Sequence, residues 1–225
     1  MIGTVVNAAA IAAGSVAGIV VQSRLSQRVI TGIFQAIGLF TLFLGISMSL
    51  KSQQMMVMIS CVVVGTVIGE LLNLEAAMNH WSEKLKHRIG AKNAKFSEGL
   101  ITAFLLYCMG SMTILGALQE GINGSAELLF AKSILDGISS IMLAAGLGIG
   151  VAFSIIPLFI YQGGLTLLAA VAGSFIPPEI ITEISAVGGI LLMGMALRIM
   201  EIKEIRVMNM LPGLVLVIPA MWIAL

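Results

Sequence analysis

Residues 138–176 read ISSIMLAAGLGIGVAFSIIPLFIYQGGLTLLAAVAGSFI, a run without a charged side chain and with Pro157 near its middle. A helix needs ~20 mostly apolar residues to cross the roughly 30 Å hydrocarbon core of a bilayer, so this run is too long for one crossing. It also cannot cover a water-soluble domain, in which about a quarter of the residues are charged. We read it as two spans joined by a tight re-entry around Ser154 to Pro157, where proline interrupts the helix. The rest of the chain has the same character: 59% of residues are hydrophobic, 10% are charged, and mean hydropathy is +1.08. Barrel strands would alternate polar and apolar residues over ~10-residue segments, whereas these runs are continuous. The expected fold class is all-α, a polytopic transmembrane helical bundle in a single domain covering residues 1–225.

Working outward from that run, apolar segments at residues 2–21, 31–50, 55–74, 99–118, 134–153, 157–176, 182–200 and 207–225 give about eight spans. Seven is the competing count, with the fifth or sixth segment crossing only in part. No Lys or Arg precedes the first run, which is longer than a signal h-region, so it is expected to be retained. Ten of the 12 basic residues fall on one side: Arg24, Arg28, Lys84, Lys86, Arg88, Lys92, Lys95, Arg198, Lys203 and Arg206, against Lys51 and Lys132. The positive-inside rule then puts the first, third and seventh connections in the cytoplasm and both termini outside it. Net charge is only +1 and the basic residues are accounted for by topology, so no nucleic-acid partner is expected.

Between the third and fourth spans, residues 75–95 form the amphipathic stretch. Leu74, Met78, Trp81, Leu85 and Ile89 recur at helical spacing beside Lys84, Lys86, His87 and Arg88. This predicts a helix lying in the cytoplasmic interface, held by its apolar face and by anionic lipid. His80 and His87 lie seven residues apart on one helical face, and a solvated surface is preferred to a metal site. Cys61 and Cys108 sit inside apolar spans and read as helix-packing residues. No cofactor is expected.

Gly14 and Gly18, and Gly65 and Gly69, have the small-xxx-small spacing that lets helix backbones approach, and a homodimer through such a face is one expectation. Gly146, Gly148 and Gly150 make a narrow, flexible stretch; with no preceding strand and no GK[ST] they are not a nucleotide loop. A faint repetition is also legible. Val16-Ala17-Gly18 echoes Val171-Ala172-Gly173, and Ala36-Ile37-Gly38 leading to Gly45 echoes Ala186-Val187-Gly188 leading to Gly194. Matching residues 2–74 to 157–225, with 99–153 between, would make an inverted three-helix repeat of the kind found in secondary transporters. Chance matching of small-residue strings is the alternative.

Polar groups within hydrocarbon are expensive unless partnered, which makes them candidate functional residues. Here they are Asn7 and Gln35; Tyr107, Ser111 and Thr113; Asp136, Ser139 and Ser140; Tyr161, Gln162 and Thr166. Glu70, Gln119 and Glu120 lie near span ends. Asp136 follows Lys132 by four residues, so a surface ion pair and a buried coupling site are both open readings.

The stretch Cys108-Met109-Gly110-Ser111-Met112-Thr113-Ile114-Leu115-Gly116-Ala117-Leu118-Gln119-Glu120-Gly121, with Lys132 to Gly137, Tyr161-Gln162-Gly163 and the opening Gly3 to Asn7, resembles the YdfK/YqgA-like family of bacterial inner-membrane proteins, domain of unknown function 554. The resemblance covers essentially the whole chain. It implies a bacterial multi-pass inner-membrane protein and marks Lys132, Asp136, Tyr161 and Gln162 for testing.

These residues suggest a site between the fourth, fifth and sixth spans. Gly110 and Gly116 bracket a Ser/Thr-bearing segment and Gly163-Gly164 follow Gln162, places where a helix can unwind and offer backbone groups to a cavity. In this reading Asp136 takes a coupling proton or Na⁺, and Ser111, Thr113, Tyr161, Gln162 and Asn7 orient a small solute. Lys132, Glu120, Gly110 and Gly163 support them. The competing reading has glycine for packing and Ser/Thr bonded back to their own helices. The expectation is a secondary transporter of a small solute or ion, not an enzyme: HExxH and GxSxG are absent and both histidines lie outside the spans. An ion channel, or a structural or regulatory membrane protein, is the alternative. A carrier buries the polar set around a closed cavity, a channel lines a continuous pore with it, and a scaffold turns small residues outward.

Overall fold

The computed structural model describes residues 1–22, 26–88, 90, 95–108, 110–172 and 177–224. Among them every regular element is helical: α1 (Ile2–Gln22), α2 (Gln27–Ser49), α3 (Met55–Leu72), α4 (Leu74–Arg88), α5 (Phe96–Cys108), α6 (Ser111–Asn123), α7 (Glu127–Leu147), the single turn α8 (Gly150–Phe153), α9 (Ile155–Ala172), α10 (Pro178–Ile199), a 3-10 turn (Val207–Met210) and α11 (Pro212–Ala224). Helices satisfy their own backbone hydrogen bonds, which the bilayer cannot do for them. Five stretches are long and apolar enough to cross: α1, α3, α7, α8 with α9, and α10. The pair α5 and α6, bent by 60° at its break, gives a sixth where the two are counted as one broken span, while Gln35–Ser49 and Val207–Ile223 are shorter. The chain is a multi-pass helical membrane protein.

Two boundaries differ from the sequence reading. The interruption in the 138–176 run is not at Ser154 to Pro157. α7 ends where Gly148 adopts φ +79°, a conformation that glycine reaches at little cost, whereas Ser154, a one-residue turn between α8 and α9 with helical dihedrals, does not divide the span. Pro157 falls in the first turn of α9, where its missing N–H removes no intrahelical bond. The fourth segment, expected to be continuous over 99–118, is broken, with Gly110 in extended conformation at the start of α6. The unwinding expected at Gly116 and at Gly163-Gly164 is absent: Gly116 lies inside α6, and α9 is unbroken from Ile155 to Ala172.

By contact the chain divides into two compact units, Met1–Phe34 with Lys86–Phe175, and Gln35–Leu85 with Ile176–Leu225. In the first, α1 lies along α7. Gly3 meets Leu129, Gly14 meets Gly137 and Gly18 meets Ile141, so both positions rise together and the helices are parallel. A β-carbon at Gly14 or Gly18 would strike the carbonyl of Gly137 or Ile141, so the spacing read as a packing face is occupied within the chain.

In the second unit α10 is the most buried long helix. Gly45 of α2 meets Gly189 of α10, and Gly38 meets Met200, so these helices are antiparallel. So are α3 and α11, where Gly65 meets Gly213 and Gly69 meets Asn209 just before α11 begins. Glu183 of α10, 1% exposed, closes the start of α3: its Oε1 accepts from the amides of Gln53 (2.6 Å) and Gln54 (3.1 Å), and its Oε2 from the Ser52 hydroxyl (2.7 Å). A carboxylate at a helix N-terminus satisfies orphan amides and complements the dipole. Glu183→Ala is therefore expected to cost about 2–3 kcal/mol and lower Tm by roughly 5–10 °C. A thermal melt in detergent showing a fall of less than about 1 °C would mean that these amides are satisfied without it.

The helix expected over residues 75–95 exists as α4, Leu74–Arg88, but its protein-facing side is not the apolar stripe. Asn73, in the left-handed region at φ 52°, ends α3 and lets α4 begin at the next residue. Glu75 and Ser82 are the buried residues of α4, while Trp81 is 38% exposed. Glu75 fixes the orientation: its carboxylate pairs with Arg198 at 2.5 Å and accepts from the Met208 amide at 3.1 Å, and its own amide donates to Asn209 Oδ1 at 2.7 Å. Leu74, Met78 and Leu85 are left half-buried at the margin of that contact, and Ile89 lies outside the described residues.

Candidate functional site

The first unit brings together polar side chains from α1, α5, α7 and α9. On α7, Lys132, Asp136 and Ser140 recur every four residues and share one face, which packs inward. Asp136 is ~14 Å along α7 from Glu127, near the middle of a helix about 30 Å long. On α1, Thr4 and Asn7 head a buried stripe continued by Ile11, Gly14 and Gly18. The small residues of that stripe let α1 approach α7 closely enough for Asn7 to reach Asp136.

Lys132 and Asp136 form an ion pair through Asp136 Oδ2, and it is buried: the residues are 4% and 7% exposed. The open alternative of a surface pair is thereby excluded. Asn7 Nδ2 donates to Asp136 Oδ2 at 3.0 Å and to Gln162 Oε1 at 3.2 Å, and Gln162 Nε2 donates to Thr4 Oγ1 at 3.2 Å. Asn7 and Gln162 are fully buried. The Asp136 carboxylate, paired with Lys132, sets the orientation of the Asn7 amide, because an Asn7 oxygen there would oppose it, and Gln162 Oε1 follows. Asn7 Oδ1 then points away and has no donor among the described residues.

Below the pair, the Ser140 hydroxyl donates to the Asp136 carbonyl at 2.6 Å, so the Tyr107 hydroxyl, 2.7 Å away, donates to Ser140. The Lys132 ammonium lies 5.8 Å from the Tyr107 ring centroid, within cation–π range. Thr113 Oγ1 donates across the helix break to the Tyr107 carbonyl at 2.6 Å, satisfying one of the last carbonyls of α5. Ser133 and Thr166 bond back to Leu129 and Gln162 on their own helices, the local pattern weighed as the alternative.

Of the residues singled out from sequence, the structure joins Asn7, Lys132, Asp136 and Gln162 directly and Thr113 through Tyr107. Gly110 opens α6 at the break, where a β-carbon would meet nothing within 4 Å. Gly163 is buried against α1. Tyr161 turns to Phe104, ring edge to face at 6.5 Å, and makes no hydrogen bond to the cluster among the described residues. The Ser111 side chain lies outside the described residues. Glu120 serves α1 instead: its Oε1 accepts from the Gly3 amide at 2.7 Å, and its Oε2 has no partner among the described residues. Tyr107 and Ser140, candidate functional residues outside the site expected from sequence, join the cluster, as does Thr4, which is not among the candidates. The available signal was spacing, since Thr4 is three residues from Asn7 and Ser140 four from Asp136. Among the described residues no group of three or more His, Cys, Asp or Glu side chains could hold a metal ion.

The family described as "Protein of unknown function (DUF554)" matches residues 2–222. The chain is 35% identical over 220 residues to "Uncharacterized membrane protein YdfK" of Bacillus subtilis (strain 168), spanning 96% of this chain and 93% of that protein. It is 34% identical over 231 residues to "Uncharacterized protein YqgA" of Escherichia coli (strain K12), spanning 100% and 98% respectively. No solved structure matches the chain.

Proposed function

The chain belongs to the DUF554 family, and we propose that this member is a secondary transporter that carries a small solute or ion across the bacterial inner membrane. One observation carries the reading: a buried Lys132–Asp136 pair at mid-helix depth, tied by Asn7 and Gln162 to two further helices. A pair that only stabilised the fold would be a poor choice, because desolvating two charges consumes most of their attraction. Charged residues at this depth are a recurring feature of ion and solute pathways. Lys132 and Asp136 supply the charges that the solute meets, Asn7 and Gln162 orient it, and a proton or Na⁺ gradient drives its transport. Burial of Asn7, Thr113, Asp136, Ser140, Gln162 and Thr166, with inward-facing glycines, favours a carrier over a scaffold, while Gln35 is exposed and Ser139 and Tyr161 are half-buried. A homodimer through a glycine face would need another surface, since Gly14, Gly18, Gly65 and Gly69 already meet helices or turns of this chain.

Helix directions support eight crossings. Parallel α1 and α7 require an odd number of spans between them, which α2, α3 and the bent α5/α6 pair supply. Antiparallel α2 and α10, and antiparallel α3 and α11, require an even number, which seven spans would not provide. With the positive-inside bias, both termini lie outside the cytoplasm. The inverted repeat is supported in that α2 lies against α10 and α3 against α11, its proposed counterparts, in opposite directions.

Reconstitution into liposomes tests the reading. Under an imposed pH or Na⁺ gradient, the wild type is expected to accumulate a member of a panel of amino acids and small organic acids, and Asp136→Asn, checked for monodispersity, to lose at least ~90% of that rate. Gradient-independent leakage in both proteins would point to a channel, and no Asp136-dependent flux would remove the carrier reading.

A further inference from the structure

The cluster also constrains the class of solute, an inference that rests on the carrier reading and extends it. We propose that the site receives a small zwitterion of the amino-acid class, whose ammonium replaces Lys132 beside Asp136 and whose carboxylate takes Lys132 as its partner.

Charge balance is the first support. The cluster holds one positive and one negative side chain, each the neutraliser of the other in a buried setting. A cation bound at Asp136 leaves the Lys132 ammonium unpaired, and an anion bound at Lys132 leaves the Asp136 carboxylate unpaired. Uncompensated buried charge is the most costly arrangement open to such a site. A neutral solute has nothing with which to separate the pair. A solute carrying one charge of each sign separates it and leaves both groups neutralised.

Hydrogen-bond supply is the second, independent support. The hydroxyls of Tyr107, Ser140, Thr113, Ser133 and Thr166 are all committed as donors to protein oxygens. Both hydrogen bonds given by Asn7 come from Nδ2, which leaves its buried Oδ1 as an acceptor without a donor among the described residues. Leaving such a group unpaired is costly, and an N–H donor removes the cost. The Lys132 ammonium itself sits between the Asp136 carboxylate and the face of Tyr107, surroundings that suit an alkylammonium. An amine with hydrogens therefore fits where a quaternary ammonium, with no N–H for Asn7 Oδ1, does not.

Thermal stabilisation of the detergent-purified full chain is the test, with glycine, β-alanine and the L-amino acids as zwitterionic probes. Methylammonium, acetate, NaCl and glycine betaine serve as the single-charge and no-N–H controls. At ~100-fold excess over Kd a bound probe raises Tm by about 5–10 °C. We expect such a rise with at least one amino acid and a shift below ~1 °C with all four controls. Asn7→Leu and the double variant Lys132→Met with Asp136→Leu should both lose the response, and the double variant, lacking buried charge, should still melt cooperatively. Stabilisation by methylammonium, acetate or NaCl equal to that by the amino acids, or no amino-acid response at all, would overturn the zwitterion site. Flux of an ion in liposomes would survive that result, so the carrier reading stands or falls separately; conversely, an amino acid that binds without being transported would remove the carrier reading and leave the site.

Discussion

Lys132→Met is expected to destabilise the protein by about 3–5 kcal/mol, the largest effect of any single charge removal in the first unit, because it strands the Asp136 carboxylate in a buried position. Asn7 can still donate one hydrogen bond to Asp136, but a single neutral donor does not replace an ammonium. The double variant Lys132→Met with Asp136→Leu removes both charges and fills similar volume with apolar atoms. It should recover most of the loss, to within ~1 kcal/mol of wild type or above it. Urea unfolding in a fixed detergent micelle, comparing midpoints at constant m, reads both quantities. If the single variant were as stable as wild type, Asp136 would have another neutraliser, and the pair could not be the centre of the site. If the double variant were no better than the single one, the pair would be contributing structure beyond mutual neutralisation. The same double variant should be silent in liposome flux, which separates folding from function in one protein.

Gly18→Leu should be nearly as damaging, at about 3 kcal/mol or more, and Gly14→Leu similarly so. A side chain at Gly18 would be driven into the backbone carbonyl of Ile141, and one at Gly14 into that of Gly137. Backbone cannot swing aside as a side chain can, so α1 and α7 must separate. That separation also withdraws Asn7 from Asp136 and Thr4 from Gln162, so any Asp136-dependent activity should fall with stability. Gly164→Ala provides the contrast: a β-carbon there meets nothing within 4 Å, so its melting temperature should stay within ~1–2 °C of wild type. Equal effects at Gly18 and Gly164 would mean that helix propensity, not contact with α7, sets the cost of replacing these glycines.

Much of this molecule is legible in one dimension because the bilayer enforces it. A chain that must satisfy its own backbone in hydrocarbon shows long apolar runs, and residues 138–176 announce at least two helices before any contact is known. Helical spacing also places Lys132, Asp136 and Ser140 on one face, and Gly14 with Gly18 on another. Composition does not carry the direction in which a face turns. Whether Lys132 and Asp136 meet water or protein depends on α1 lying along α7, and Asn7 reaches them only because glycines bring the two backbones together. The end of α7 was likewise misplaced by the prominence of Pro157, since a proline in a first helical turn is harmless and Gly148 could take a positive φ without strain. Glu183 and Glu75 look like ordinary acids in the sequence. They become buried anchors only when folding sets the start of α3 beside one and Arg198 beside the other, because the energy of a charge lies in its partners and these are remote along the chain.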